Sequence, residues 1–284
     1  MSADIYKLEA QDGNNLQSRL SQDMGPLETY RYLVENATDP RVINWPLLGS
    51  PFPLLAIILS YLVFVCYLGP LYMKNRKPYQ LNTFMIWYNV FVAVASATVL
   101  YGILTSSFTT TLSLGCEPVT ISYEPGPYNL AQWMWWVLIL KIVEFGDTII
   151  FVLRKKFNQA SFLHVYHHAS TSTLSWIAAK YVPGGMWAIS IMPNCFVHVI
   201  MYTYYLLACF GPEMQRRLTP WKRYVTRLQL IQFVIMIFHV LQAFQPSCNP
   251  QHRPIAVYYM LQIITMFSMF CDYYKKAYVR AKTA

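Results

Sequence analysis

The sequence predicts an all-α, polytopic membrane protein with seven transmembrane helices, in which polar motifs on helices three to six enclose a buried chamber in the cytosolic half of the membrane. Three observations carry this reading. Of 284 residues, 55% are hydrophobic and only 12% charged, where an average soluble domain carries roughly 25% charged residues. Tyr, Phe and Trp make up 16%, a supply of amphipathic rings suited to two membrane-water interfaces. Seven apolar runs follow one another, each of about 20 residues, the length that spans a hydrocarbon core. Coiled coils, disordered tails and small secreted disulfide scaffolds are excluded. The net charge of +9 does not imply nucleic acid, because the basic residues sit in short bursts between apolar runs.

Residues 1–50 are polar, so the first apolar run starts too late for a cleaved signal peptide. They read as a luminal N-terminal segment ahead of a membrane domain at 51–274. Its runs lie at 54–73, 84–104, 130–153, 162–181, 186–210, 224–244 and 255–274. The third to sixth are interrupted by polar groups, among them Lys141, Glu144, Asp147, His164, His167, His168, His198, Gln229 and Gln232. Such groups are expensive in lipid, so these helices are expected to turn their polar faces toward one another. Residues 275–284 form a basic tail.

Short cytosolic loops retain Lys and Arg. One set of connections and the tail hold fifteen basic residues: Lys74, Arg76, Lys77, Arg154, Lys155, Lys156, Arg216, Arg217, Lys222, Arg223, Arg227, Lys275, Lys276, Arg280 and Lys282. The opposite connections hold Lys180 and Arg253. This count puts the C-terminus in the cytosol and the N-terminus in the lumen, where the Asn36-Ala37-Thr38 sequon can be glycosylated. Residues 280–284 resemble a basic retrieval signal of an endoplasmic reticulum membrane protein, although basic residues also flank a final span for topology alone. Of six cysteines, Cys116 and Cys248 fall in the luminal loops, where oxidising conditions favour a bridge between them; two unpaired thiols are the alternative.

In the third run, Lys141, Glu144 and Thr148 share one helical face and Asp147 borders it. By itself this pattern fits a structural ion pair. In the fourth, offsets of three and four put His164, His167 and His168 on one face. A single core histidine is commonly just hydrogen-bonded; three together point to chemistry as base, nucleophile or metal ligand. The fifth adds a stripe of Asn194, His198, Met201, Tyr202 and Tyr205. The sixth adds Thr226, Gln229 and Gln232, for which interhelical hydrogen bonding is an equal reading. Because alternate spans run in opposite directions, all four motifs meet at one depth on the cytosolic side, under a mouth ringed by Arg154, Lys155, Lys156, Arg216, Arg217, Lys222 and Arg223. A basic mouth above a dry reactive chamber suits a substrate with a phosphate head and an apolar tail, such as an acyl-coenzyme A.

The spacing His164-x-x-His167-His168 also occurs in membrane di-iron desaturases and hydroxylases. Those enzymes use about eight histidines in three boxes. This chain has six, of which His239 and His252 lie at the wrong depth, so no metal and no other cofactor is expected. The alternative class is a non-enzymatic seven-span receptor or lipid transporter. Against it stand the cytosolic placement of the polar groups and the lack of repeated halves.

Together, Lys141-x-x-Glu144-x-x-Asp147-Thr148, His164-x-x-His167-His168, Asn194-x-x-x-His198-x-x-Met201-Tyr202-x-Tyr204-Tyr205 and Thr226-x-x-Gln229-x-x-Gln232-Phe233 resemble the signature set of the ELO family of fatty acid elongases. The resemblance runs from about the first span to the tail, and the form of the histidine motif looks most like the polyunsaturated-chain branch. It implies a 3-oxoacyl-coenzyme A synthase that condenses a long acyl-coenzyme A with malonyl-coenzyme A. It further implies the 3-oxoacyl reductase, dehydratase and enoyl reductase of the elongation cycle as partners, and a homo-oligomer as one possible assembly. By the same resemblance His167 is the acyl-accepting nucleophile, with His168 and His198 in proton handling and enolate stabilisation. Glu144, Asp147, Asn194, Gln229 and Gln232 would orient the rings and Lys141 would balance the carboxylates, with His164 and Tyr202 in the same site. Arg154, Lys155, Lys156, Arg217, Lys222, Arg223 and Tyr205 are the candidate substrate-binding residues. The acyl tail should extend toward the lumen, past Trp176, Trp187 and His239.

Overall fold

A computed structural model of the chain describes residues 25, 37–108, 115–249 and 253–279, and the regular structure among them is helical. Asn36, Arg280 and Lys282 lie outside the described residues. The first helix, α1 (Phe52–Val63), runs through a π-helical turn (Phe64–Leu68) into α2 (Gly69–Met73). The π turn has a covalent cause. Pro70 has no N–H for the regular ladder, and the Gly69 N–H reaches back five residues to the Phe64 carbonyl. There follow α3 (Asn82–Phe108), α4 (Pro125–Val143), α5 (Phe145–Leu153), α6 (Phe162–Tyr181) and α7 (Gly185–Ala208). The last elements are α8 (Pro212–Leu241), a short 3-10 turn (Gln242–Phe244), α9 (Arg253–Tyr274) and a π turn (Lys275–Val279).

Among the described residues, five segments are long and apolar enough to cross a membrane: Phe52–Met73, Asn82–Ser107, Gly185–Ala208, Pro212–Phe244 and Arg253–Val279. The third and fourth expected spans are helical but fall short of that description. The third is interrupted at Glu144, between α4 and α5, and carries Lys141, Glu144 and Asp147. The fourth, α6, carries three His, five Ser or Thr and Lys180. Two further differences concern basic residues. The helix expected from residue 224 begins at Pro212, so Arg216, Arg217, Lys222 and Arg223 lie on α8 and not in a loop. Pro at the first turn suits that start. Lys180 is fully buried in the last turn of α6, where its Nζ donates to the Leu48 carbonyl at 2.6 Å.

The larger core lies where α3, α4, α7, α8 and α9 meet, around Ile103, Met134, Met186, Trp187, Tyr202 and Met266. Close approach of α3 to α4 depends on Gly102, where a Cβ would overlap the Trp133 indole. The second core joins α1, α4, α5 and α6 to the N-terminal segment through Val42, Leu48, Leu54, Phe145 and Trp176. That segment is packed into the helical body from residue 38 onward. Its Arg41 forms a buried ion pair with Asp39 at 2.7 Å and donates to the Pro127 carbonyl at 2.9 Å, which satisfies charges that burial would otherwise leave uncompensated.

Cys116 and Cys248 form a disulfide with Cα atoms 5.6 Å apart. It ties the connection before α4 to the one before α9. Beside it, the turn into α7 places Gly185 at φ +53°, where a Cβ would stand 2.6 Å from the Glu117 carbonyl oxygen. Only glycine fits there.

Candidate active site

The site is built around the interruption between α4 and α5. There the Asp147 N–H bonds to the Glu144 carbonyl at 3.1 Å, one residue short of the regular helical reach. Glu144 is fully buried and takes both its partners from the protein. Its oxygens accept from Lys141 Nζ at 3.0 and 3.1 Å, and Oε1 also accepts from His198 Nδ1 at 2.9 Å. Lys141 Nζ stands 3.4 Å from the same ring nitrogen. A carboxylate at this distance assigns the proton to Nδ1 and leaves His198 Nε2 as the atom free to accept a proton.

Asp147 has a different set of neighbours. The Tyr202 hydroxyl donates to it at 2.5 Å, and His168 Nε2 lies 3.9 Å away. Next to it, the Thr148 hydroxyl is 2.8 Å from that of Tyr61, whose ring stacks on Phe145 at 4.2 Å.

The histidine motif opens α6, where the Ser161 side chain accepts from the His164 N–H as an N-cap. The three imidazoles then diverge. His168 turns to Asp147. His164 packs on Phe151 at 5.2 Å and on His168 at 4.4 Å between ring centres. His167 lies 5.4 Å from the His168 ring and 6.4 Å from that of His198, and it lines a cavity of about 70 Å³ that is partly open to the outside. Lys141, Asn194 and Gln232 line the same end, and Ala178, Trp187 and Tyr259 the other. From His167 to Ala178 along α6 is about 16 Å at 1.5 Å per residue, so the space is elongated. Three of its buried polar atoms or neighbours have no hydrogen-bond partner among the described residues: His164 Nε2, His168 Nδ1 and Gln232 Oε1.

The structure therefore brings together Lys141, Glu144, Asp147, His164, His167, His168, Asn194, His198, Tyr202 and Gln232. Gln229 is set slightly apart, with its amide on the Met201 sulfur at 3.4 Å. The candidate substrate cations are dispersed. Arg154 donates to the Met85 sulfur, Lys155 to the Lys74 carbonyl, and Arg217, with Arg216, pairs with Glu213. Arg223 and Arg227 converge on the Tyr274 hydroxyl at 2.7 and 2.9 Å, while Lys156 and Lys222 are exposed. Tyr205 is 39% exposed and packs on Tyr202 and Tyr204 outside the cavity lining. Of the three residues expected along the tail, Trp187 lines the cavity. Trp176 instead donates to the Leu47 carbonyl in the second core, and His239 reaches the cavity through Ser190 at 2.8 Å.

Sequence reasoning missed Tyr61 and also Tyr88, whose hydroxyl donates to the Val143 carbonyl at 3.2 Å; neither ring gives a signal inside an apolar run. It also missed Gln262, whose amide donates to Ser170 at 2.5 Å and accepts from Tyr166 at 3.1 Å at the cavity wall. An isolated Gln in the seventh run was signal enough. Cys195, three residues before His198, is buried in the core and is not part of the cavity wall. Among the described residues, no group of three or more His, Cys, Asp and Glu is arranged to hold a metal ion.

Comparison with known proteins agrees with the motif resemblance. The family described as ELO, GNS1/SUR4, matches residues 46–284. Very long chain fatty acid elongase 1 of Homo sapiens is 41% identical over 255 residues, covering 89% of this chain and 90% of that protein. Very long chain fatty acid elongase 7 of Drosophila melanogaster is 40% identical over 254 residues, 88% of this chain and 76% of its own length. Very long chain fatty acid elongase 4 of Homo sapiens is 40% identical over 259 residues, 90% and 80% respectively.

Proposed function

Because the chain belongs to the GNS1/SUR4 (ELO) family and is a fatty acid elongase, we propose that it performs the condensing step of elongation, and that His167 carries the acyl chain. Long-chain acyl-coenzyme A, malonyl-coenzyme A and a proton give 3-oxoacyl-coenzyme A, carbon dioxide and free coenzyme A. No cofactor enters this balance. In the first half, an imidazole nitrogen of His167 attacks the thioester carbonyl, the C–S bond breaks, and coenzyme A leaves as a thiol. In the second, malonyl-coenzyme A loses carbon dioxide, and the resulting enolate carbon attacks the acyl-imidazole carbonyl and expels the ring. The Lys141 ammonium supplies positive charge to the enolate oxygen, and the imidazoles of His168 and His198 accept protons and return them to the leaving groups. A water-poor cavity protects the acyl-imidazole from hydrolysis.

One observation carries this reading: of the three clustered histidines, His167 is the one on the cavity wall, beside Lys141, Asn194 and Gln232 and at the head of an apolar space of tail-like length. The topology we propose adds α4 with α5 and α6 to the five apolar segments, making seven spans with the N-terminus luminal and the tail cytosolic in the endoplasmic reticulum membrane. The polar residues of those two elements point to protein neighbours, which supports their crossing within a bundle. On this topology the basic residues of α8 and of the connection after α5 meet the coenzyme A phosphates, and the remaining enzymes of the cycle act on the product from the cytosolic face. Polyunsaturated acyl chains are the proposed preferred substrates.

Acyl-dependent release of labelled carbon dioxide from malonyl-coenzyme A tests the reaction. Acyl-coenzyme A that binds without any such release would instead favour a lipid-binding or transport protein. Competition between saturated and polyunsaturated acyl donors reads the chain preference.

A further inference from the structure

Tyr88 lies on α3, outside all four motifs, yet its side chain reaches the interruption on which the site is built. In an uninterrupted helix the Val143 carbonyl would accept the Asp147 N–H. Here that N–H is taken by Glu144 at 3.1 Å, and the Val143 carbonyl accepts the Tyr88 hydroxyl at 3.2 Å. A carbonyl freed from its ladder inside a membrane protein needs such a donor.

The approach depends on residue 146 being glycine. A Cβ there would stand 2.9 Å from the Tyr88 ring and 3.1 Å from its hydroxyl. Gly146 sits between the two carboxylates, one residue before Asp147 and two after Glu144. The same ring meets Tyr202 edge-on at 6.4 Å, and Tyr202 is the donor that holds Asp147 at 2.5 Å. One phenol thus touches the turn that carries Glu144, the glycine beside Asp147 and the tyrosine bound to Asp147.

We propose that Tyr88 is a positioning residue for the condensing site: its hydroxyl holds the Val143–Asp147 turn open, and Gly146 is the residue that admits it. The inference rests on the function proposed above. Its physical content is angular. A three-residue turn advances about 120° per residue and a regular α-helix about 100°. If the hydroxyl is removed, the Asp147 N–H can return to Val143, and the helix relaxes toward regular spacing. Glu144 and Asp147 then rotate relative to each other. Glu144 would swing from Lys141 and His198, and Asp147 from Tyr202 and His168, by on the order of 1 Å, a displacement that can cost up to a hundredfold in rate.

The test compares the full-length protein with Tyr88→Phe, Gly146→Ala and the double variant, measuring kcat and KM for condensation together with the thermal midpoint. Tyr88→Phe keeps the ring and its contacts with Tyr202 and loses the donor. It should lower kcat roughly tenfold to a hundredfold, with both KM values unchanged and any fall in midpoint too small to unfold the protein at the assay temperature. Gly146→Ala displaces the same ring and should give a similar loss, and the double variant should be no worse than the poorer single one, since both act through one contact. Full kcat in Tyr88→Phe would overturn the proposal, as would a fall in midpoint that tracks the lost activity or a variant that does not fold. If the unaltered protein releases no carbon dioxide, the reading of the function fails instead.

Discussion

His198 and Glu144, 54 residues apart in sequence, are joined by a hydrogen bond of 2.9 Å with both side chains buried. The same carboxylate holds Lys141 at 3.0 Å, so one anion at the break after α4 serves a cation on that helix and an imidazole on α7. A buried ion pair of this kind is weak evidence for stability by itself, but removal of one partner leaves an uncompensated charge.

Glu144→Gln preserves shape and removes the charge that balances Lys141. It is expected to destabilise the protein by about 3 kcal/mol and to abolish condensation. Combining it with Lys141→Met should restore much of the thermal midpoint and none of the activity. A single Glu144→Gln variant with an unchanged midpoint would show that Lys141 finds another partner.

The proposed acyl-imidazole predicts ping-pong kinetics, with coenzyme A released from the acyl donor before malonyl-coenzyme A is needed. Incubation with acyl-coenzyme A alone should add one acyl mass to the peptide containing His164, His167 and His168, and His167→Ala should remove that adduct. Chelators should leave turnover intact. Sequential kinetics with no adduct would favour direct attack of the enolate on the thioester, and rescue of a chelated enzyme by iron would favour a metal centre.

Product length should respond to the cavity's far end. Trp187 lies on its wall and meets Tyr259 at 6.0 Å between ring centres, so Trp187→Ala is expected to extend the longest product. Trp176→Ala removes the hydrogen bond to Leu47 and should lower stability while leaving the product distribution as it was. The reverse pattern would mean the tail follows another path.

The Cys116–Cys248 bridge spans 132 residues of sequence, and Cys248→Ala is expected to cost about 2–5 kcal/mol. Non-reducing peptide mapping should find the two cysteines linked in protein taken from an oxidising compartment. Two free thiols there would remove the prediction.

For topology, glycosylation mapping should find Asn36 modified on the luminal side, and a protease added to intact microsomes should remove a tag placed on the C-terminus. A protected C-terminus would overturn the seven-span orientation.

Helical class and membrane character were legible from composition and run length, because a chain with so few charges has nowhere else to bury its apolar surface. The motif residues were legible for the same reason. Lys141, Glu144, Asp147 and the histidines of α6 stand out inside apolar runs, and each needs a protein partner there. Tyr88 and Tyr61 were not legible, since a tyrosine in such a run is equally a lipid-facing anchor. The interruption at Glu144 was hidden too. The carbonyl it frees, that of Val143, is met by a hydroxyl from α3, 55 residues earlier in the chain.

The sequence by itself determined which polar side chains interrupt the apolar runs, that these runs are helical, and which residues share a helical face, because those follow from residue type and a fixed period. Tertiary structure alone decided that Glu144 is shared by Lys141 and His198, that Asp147 belongs to Tyr202 and His168, and that His167 and not His168 opens on the cavity. Neighbouring residues on one helix differ by about 100° in direction, and only the packing of α3, α7 and α9 around α4 and α6 determines which direction meets a partner and which meets open space.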